Sequence, residues 1–498
     1  MLFNSYSFLV FFPIVVLIYF FIPKKARYIW LLIASYYFYM CWNATYALLI
    51  AFSTLTTYVC GVAVDFCNKN TKYGSWKKGI VSLNVIINLF LLGFFKYFDF
   101  ILENINAVLN QVNVTVIHSP FDIILPVGIS FYTFQALGYS IDVYRGEIKA
   151  EKNFFKYALF VSFFPQLVAG PIERSKNLLQ QIDSIEDIKV FNYRRICNGL
   201  ILMLWGFFLK MVLADRIAVL VNTVFDKYYM YSSFELVVAA VGFAVQIYCD
   251  FSSYSTSACG AAEVMGFQLM ENFESPYFSL SIKEFWRRWH ISLSTWFKDY
   301  LYIPLGGNRC SKVRNNVNLM ITFLVSGLWH GANWTFIAWG GIHGMYQVIG
   351  GFLAPIKEKF IHKAGIDRQK FSFKLGQCII NFILVDFAWI FFRANTITEA
   401  VEYIYRIFAK FNPWALFDGT LYTLGLDRPE MNICIFALVI LFIVDVIKYK
   451  YKLRIDAFLE KECLWFRWSV IFALIFCVII LGKYGGSYDA QQFIYFQF

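Results

Sequence analysis

Val325-Ser326-Gly327-Leu328-Trp329-His330-Gly331-Ala332-Asn333-Trp334 sets one ionisable imidazole inside an apolar run, between two glycines. Polar groups at membrane depth are expensive and tend to line a cavity or a substrate path. Glycines on either side let a ligand or another backbone approach closely. A histidine satisfied by a neighbouring helix carbonyl would explain the same position, so residue chemistry alone leaves both readings open. The runs around this segment, near 316–331 and 332–353, belong to a long series.

Further apolar stretches lie near 28–42, 45–64, 79–98, 123–144, 154–169, 197–222, 234–252, 375–393, 431–447 and 464–482. With 59% hydrophobic, 20% aromatic and only 15% charged residues over 498 positions, lipid has to cover part of this surface. The first run, Phe8 to Ile22, has no preceding positive charge and is followed by Lys24, Lys25 and Arg27, so it reads as a retained signal-anchor. A spanning helix needs about 20 apolar residues, and several of these runs are short enough to be tilted or re-entrant. The expectation is an all-α, polytopic transmembrane fold with roughly 11–13 membrane helices, re-entrant segments included.

The formal net charge of +11 falls in short clusters between apolar runs, as in cytoplasmic loops beside anionic lipid. No basic stripe or nucleic-acid motif is present, so nucleic acid is not an expected partner. Clusters at 24–27, Lys69 to Lys78, Arg145 to Lys156, Lys357 to Lys374 and Lys448 to Arg467 thread onto one side, taken as cytoplasmic. The opposite loops, 99–122 and 394–430, carry more acid than base. A span at 154–169 would break that pattern by placing Arg174, Lys176, Arg194 and Arg195 outside, so it reads as re-entrant. The stretch 271–315 is too polar to span and is expected to form short helices at the interface. The reading is thus a multi-pass cell-membrane protein with both termini extracytoplasmic. One membrane domain, 1–482, precedes an outward-facing tail, 483–498. The eleven cysteines are scattered without a C-x-x-C pair, so neither a metal site nor a disulfide framework is expected.

Three further stretches carry chemistry. In Glu284-Phe285-Trp286-Arg287-Arg288-Trp289-His290, Trp286 and Trp289 share a helical face, His290 follows one turn after Trp286, and Glu284 can pair with Arg287 or Arg288. An interfacial helix anchored by tryptophans fits the same pattern. Asp250 ends an apolar run in Tyr248-Cys249-Asp250-Phe251-Ser252-Ser253-Tyr254, where nearby hydroxyls can satisfy it, so a structural knot stands beside a catalytic role. His343 reads as a packing residue, while His118 and His362 are assigned to loops.

These motifs together resemble the membrane-bound O-acyltransferase family, in its bacterial alginate O-acetyltransferase-like branch. Phe285 to His290 followed by Tyr300-Leu301-Tyr302-Ile303-Pro304-Leu305-Gly306-Gly307-Asn308 is similar to the branch signature. Leu328-Trp329-His330-Gly331 is similar to the segment carrying the catalytic histidine. Phe163 to Ile172, Phe134 to Tyr139 and Asp250 to Tyr254 match as well. The resemblance implies a helical fold around a central funnel, with His330 as the catalytic histidine and His290 as the second signature histidine. Asp250, Tyr254, Trp329 and Asn333 would support them. Thr256 stands where alginate-type members commonly have an acid, and Glu263 lies near a commonly basic position, so the acceptor polysaccharide stays open.

The resemblance further implies transfer of an acyl group from a cytoplasmic thioester to an acceptor outside. Acetyl-CoA is the expected donor, a substrate and not a resident cofactor, with Arg287, Arg288 and Arg309 facing its phosphates. A buried histidine stays neutral, the form a general base requires, so His330 is expected to line a solvated passage and deprotonate the incoming hydroxyl. The terminal Phe493-Ile494-Tyr495-Phe496-Gln497-Phe498 is similar to a hexapeptide of the related D-alanyl export system, which points to Tyr495 as an acyl carrier. An aromatic tail packed at the outer interface fits those residues equally. A tyrosine hydroxyl, with a pKa of about 10, needs a base to become a nucleophile. The expected partner is an extracytoplasmic SGNH-type acetyltransferase that moves the acetyl group to a polysaccharide. The rivals are D-alanyl export for teichoic acid and a non-enzymatic transporter of polysaccharide or lipid-linked sugar. Transporters often carry internal repeats, and none is visible here.

Overall fold

The computed structural model of the chain describes residues 1–119, 121 and 124–484. Helices follow one another in the order α1 (Tyr6–Phe21), α2 (Arg27–Met40), α3 (Ala47–Lys69), α4 (Trp76–Gln111), α5 (Ile129–Tyr144), α6 (Phe154–Ser162), α7 (Ser175–Asp183), α8 (Tyr193–Phe207), α9 (Asp215–Phe225), α10 (Ser233–Met265), α11 (Ile282–Arg288), α12 (Ile291–Phe297), α13 (Lys312–His330), α14 (Trp334–Lys363), α15 (Phe371–Arg393), α16 (Ile397–Ala409), α17 (Arg428–Tyr451), α18 (Ile455–Lys461) and α19 (Leu464–Leu481). The described residues contain no strand. The all-α expectation therefore holds. Among them, seven helices are long and apolar enough to cross a bilayer: Ala44–Lys69, Trp76–Gln111, Tyr193–Phe225, Ser233–Met265, Phe371–Arg393, Arg428–Tyr451 and Leu464–Leu481. The chain is a multi-pass membrane protein.

The chain divides into two compact units, Met1–Met203 with Ser257–Met270, and Leu204–Thr256 with Glu271 onward. The first packs α1 and α2 through a ring cluster in which Phe164 meets Phe11 at 5.4 Å and Phe38 at 5.6 Å. At nine residues, or about 13 Å, α6 is too short to span. It leads into a buried irregular stretch. Irregular backbone away from water needs partners supplied by the protein. Ser35 Oγ accepts from the Phe164 N–H at 3.1 Å, and the Gln135 and Gln166 amides both donate to the Phe160 carbonyl, at 2.6 and 2.9 Å.

In the second unit α13 and α14 form an antiparallel hairpin whose backbones nearly touch. A Cβ on Gly327 would lie 2.2 Å from the Phe336 carbonyl oxygen, and one on Gly340 2.3 Å from that of Phe323. Small residues at such crossings are what let membrane helices gain packing energy. Between α8 and α9 the chain widens into a π-turn, Phe208–Ala214, a form frequent at functional sites. This turn is tied to the end of α19: Arg216 donates to the Leu481 carbonyl at 2.9 Å and pairs with Glu430, while the Lys483 N–H donates to the Met211 carbonyl at 2.9 Å.

The stretch 271–315 forms short helices, as expected, including α11, α12 and a π-turn at Lys298–Tyr302. Two sequence assignments change. His362 belongs to the last turn of α14 and not to a loop, because the apolar helix runs on to Lys363. The helix carrying Trp286 stops at Arg288, so His290 does not continue its face; it sits in the left-handed region at φ 43°, ψ 55°.

Candidate active site

His330 occupies the last residue of α13, and the chain turns through extended Gly331 into α14. Asn333 caps the new helix: its Oδ1 accepts from the Thr335 N–H at 3.0 Å, and its Nδ2 donates to the Asn395 carbonyl at 2.9 Å. The side chain that sequence placed in a supporting role thus fixes the turn directly after His330. The imidazole is 5% exposed and walled by Trp329, Trp339 and Phe392, with ring centroids at 4.9, 5.1 and 5.4 Å.

His290 comes to the same place from another element. Its left-handed backbone, costly for a residue with a Cβ, turns the chain between α11 and α12. Asn272 holds that turn: its carbonyl accepts from the Ile291 N–H at 3.0 Å and its Oδ1 from Ser292 N–H at 3.2 Å. The fully buried His290 ring lies 6.4 Å from His330, 6.0 Å from Trp329 and 4.6 Å from Phe251. Two histidines 40 positions apart therefore share one aromatic pocket.

Beside Phe251, Asp250 takes part in a buried ion cluster. Lys210 Nζ lies 2.6 Å from Asp250 Oδ1 and 2.8 Å from Asp215 Oδ1, with side-chain exposures of 8%, 2% and 3%. Lys210 comes from the π-turn and Asp215 from the start of α9. Sequence reading named Asp250 and overlooked both partners, although charges interrupting the run 197–222 were a usable signal. Tyr254, one turn after Asp250 on α10, is buried at 5% exposure.

A cavity of about 1900 Å³ adjoins the histidine pair. Its wall includes Trp286, Ile291 next to His290, and Ser326 one turn before His330. His330 lies one turn beyond that last lining residue of its own helix and is not part of the wall. The cavity is strongly basic, lined by Arg287, Lys298, Arg309, Lys357, Arg368 and Lys374 among others, against the acidic Glu358. Arg287 and Arg309 are exposed, so the cavity opens at its basic side. Gly306 and Gly307, at φ 115° and 53°, shape the turn that carries Arg309 into this wall. Arg288 differs from the two other arginines: it pairs with Glu284 at 2.7 Å and stacks 5.0 Å from the centre of the Tyr449 ring. His343 is fully buried, and its Nδ1 accepts from Trp286 Nε1 at 3.3 Å, consistent with packing. Among the described residues no group of three or more His, Cys, Asp or Glu side chains is placed to hold a metal. Tyr495 lies outside the described residues.

Residues 147–391, which include both histidines, the ion cluster and the cavity wall, match the model of the membrane-bound O-acyltransferase family. A probable alginate O-acetylase of Pseudomonas syringae pv. tomato is 38% identical over 421 residues, 84% of this chain and 76% of that one. The peptidoglycan O-acetyltransferase of Helicobacter pylori is 35% identical over 435 residues, 81% of this chain and 79% of that one. The teichoic acid D-alanyltransferase of Streptococcus thermophilus is 32% identical over 260 residues, which is 50% of this chain and 61% of that one.

Proposed function

From the chain's membership of the membrane-bound O-acyltransferase family, and hence its nature as an O-acyltransferase, we propose that it passes an acetyl group from cytoplasmic acetyl-CoA across the membrane to O-acetylate an extracytoplasmic polysaccharide. The observation that carries this reading is the buried His330–His290 pair, 6.4 Å apart, beside a large cavity edged with cations. A thioester is already activated, so the protein has to supply a base, a binding site and protection from water. The basic wall suits the phosphates of a nucleotide thioester, and Arg287 and Arg309 are the side chains that meet them. His330 removes the proton of the incoming hydroxyl as its oxygen attacks the thioester carbonyl. The carbonyl re-forms, the thiolate leaves, and it takes the proton back from the imidazolium. His290 bounds the pocket from the other side.

Acetyl is favoured over D-alanine by extent of similarity: the O-acetylating relatives match over four fifths of this chain and the D-alanyltransferase over half. The transporter reading gives way to family membership. On this reading the termini face outward, Tyr495 carries the acetyl ester on the outer side, and an SGNH-type acetyltransferase moves it to the polymer. His330→Ala tests the core of the proposal: acetyl transfer from labelled acetyl-CoA should fall to background in a stably inserted protein, and undiminished transfer refutes the base. For Tyr495→Phe, an unchanged yield of acetylated polymer removes the carrier step and leaves the rest standing.

A further inference from the structure

Two indoles stand between the basic cavity and His330. Trp286 lines the cavity, and its N–H is committed to His343 Nδ1 at 3.3 Å. Trp339, on α14, packs 5.6 Å from Trp286 and edge-to-face with His330 at 5.1 Å and 87°. Its side chain is 0% exposed, and among the described residues its Nε1 has no hydrogen-bond partner. Leaving a buried donor unmatched is costly, so native proteins keep few of them, and each asks for a reason such as a catalytic role. The ring is held on every side: Trp389 stacks on it at 5.6 Å, and Phe392 and His343 each lie 5.1 Å away. One turn earlier on the same helix, Thr335 Oγ1 is likewise buried and without a partner among the described residues.

We propose that Trp339 is a catalytic residue whose indole N–H donates a hydrogen bond to the thioester carbonyl oxygen as that oxygen becomes an oxyanion. The inference rests on the acyl-transfer reading of His330. When the acceptor oxygen bonds to the carbonyl carbon, the C=O π electrons move onto oxygen. The resulting charge needs a donor that is already in place and shielded from water. Collapse returns the pair to the C=O bond and expels the thiolate, which takes the proton held by His330. A donor fixed by packing acts without reorganising during the step. Trp286 is disqualified by its bond to His343; Trp329 also adjoins His330, at 4.9 Å, but Trp339 is the indole that packs against both the cavity-lining Trp286 and His330.

The test replaces Trp339 in the full-length protein by 3-benzothienylalanine, which keeps the shape and substitutes sulfur for N–H, alongside Trp339→Phe and His330→Ala. CoA thiol release from acetyl-CoA, with water as acceptor, is measured in proteoliposomes. The sulfur isostere should lower kcat about 100- to 1000-fold while KM for acetyl-CoA and the melting temperature stay where they were; Trp339→Phe should lose at least as much kcat. An isostere with unchanged kcat overturns the donor assignment, whatever Trp339→Phe does, because the phenyl variant also alters packing. If His330→Ala loses activity while the isostere keeps it, only the Trp339 proposal falls. Full CoA release by His330→Ala sinks the reading beneath it.

Discussion

Lys210→Met puts a number on the buried ion cluster. The ammonium lies 2.6 and 2.8 Å from two carboxylates, and none of the three side chains is more than 8% exposed. At an effective dielectric of about 20, each contact contributes on the order of 6 kcal/mol of gross attraction, most of it spent on stripping water from the charges. Removing the cation takes away the charge that offsets the carboxylates' desolvation cost, and such losses run to about 3–5 kcal/mol. Methionine keeps most of the volume, so little of the effect comes from a cavity. Reversible unfolding in mixed SDS micelles should therefore shift the folding equilibrium by roughly two to three and a half decades. Adding Asp250→Asn and Asp215→Asn to Lys210→Met should recover more than half of the loss, because the buried negative charges are then removed with the cation. A single variant within about 1 kcal/mol of the parent, or a triple variant no better than the single, would refute the view that Lys210 neutralises the cluster.

Two further outcomes follow from the geometry. Arg287→Gln should raise KM for acetyl-CoA about two- to five-fold, less at high salt, whereas Arg288→Gln should leave KM alone and cost about 1 kcal/mol of stability or less, since it faces Glu284; equal KM effects from both would overturn the assignment. Gly327→Ala should destabilise by about 1–3 kcal/mol and lower kcat, because a methyl 2.2 Å from the Phe336 carbonyl forces apart the hairpin that ends in His330; a variant with parental melting temperature and rate would refute the close-packing account.

Much of the fold was legible because apolar runs and Lys/Arg clusters are local signals. The runs at 316–331 and 332–353 became α13 and α14, and of the two glycines around His330, Gly327 does permit close backbone approach while Gly331 makes room for the Phe336 ring. What escaped reading was non-local or conformational. The tryptophan spacing from Trp286 to Trp289 implied a helix continuing to His290. The left-handed turn there depends on Asn272, a residue no periodicity points to. Lys210 and Asp215 vanished into the average of a long hydrophobic run, and only their meeting with Asp250, 40 and 35 positions on, gives them meaning. That Arg288 and not Arg287 pairs with Glu284 was closer to reach: Glu284 is four residues before Arg288 on one helix, and that spacing favours the pair that formed.

The fastening of α19 to the π-turn also bears on how the protein is made. Arg216 and the Leu481 carbonyl are 265 positions apart, so the turn emerges from the ribosome long before its tie can form. Until α19 enters the bilayer, the Met211 carbonyl lacks the Lys483 N–H and the Arg216 guanidinium lacks the Leu481 carbonyl, leaving it the Val212 carbonyl and, once α17 is made, Glu430. Nascent chains interrupted within α17 or α18 thus carry a polar turn at membrane depth that is only partly fastened, the kind of defect that membrane proteases and insertases recognise.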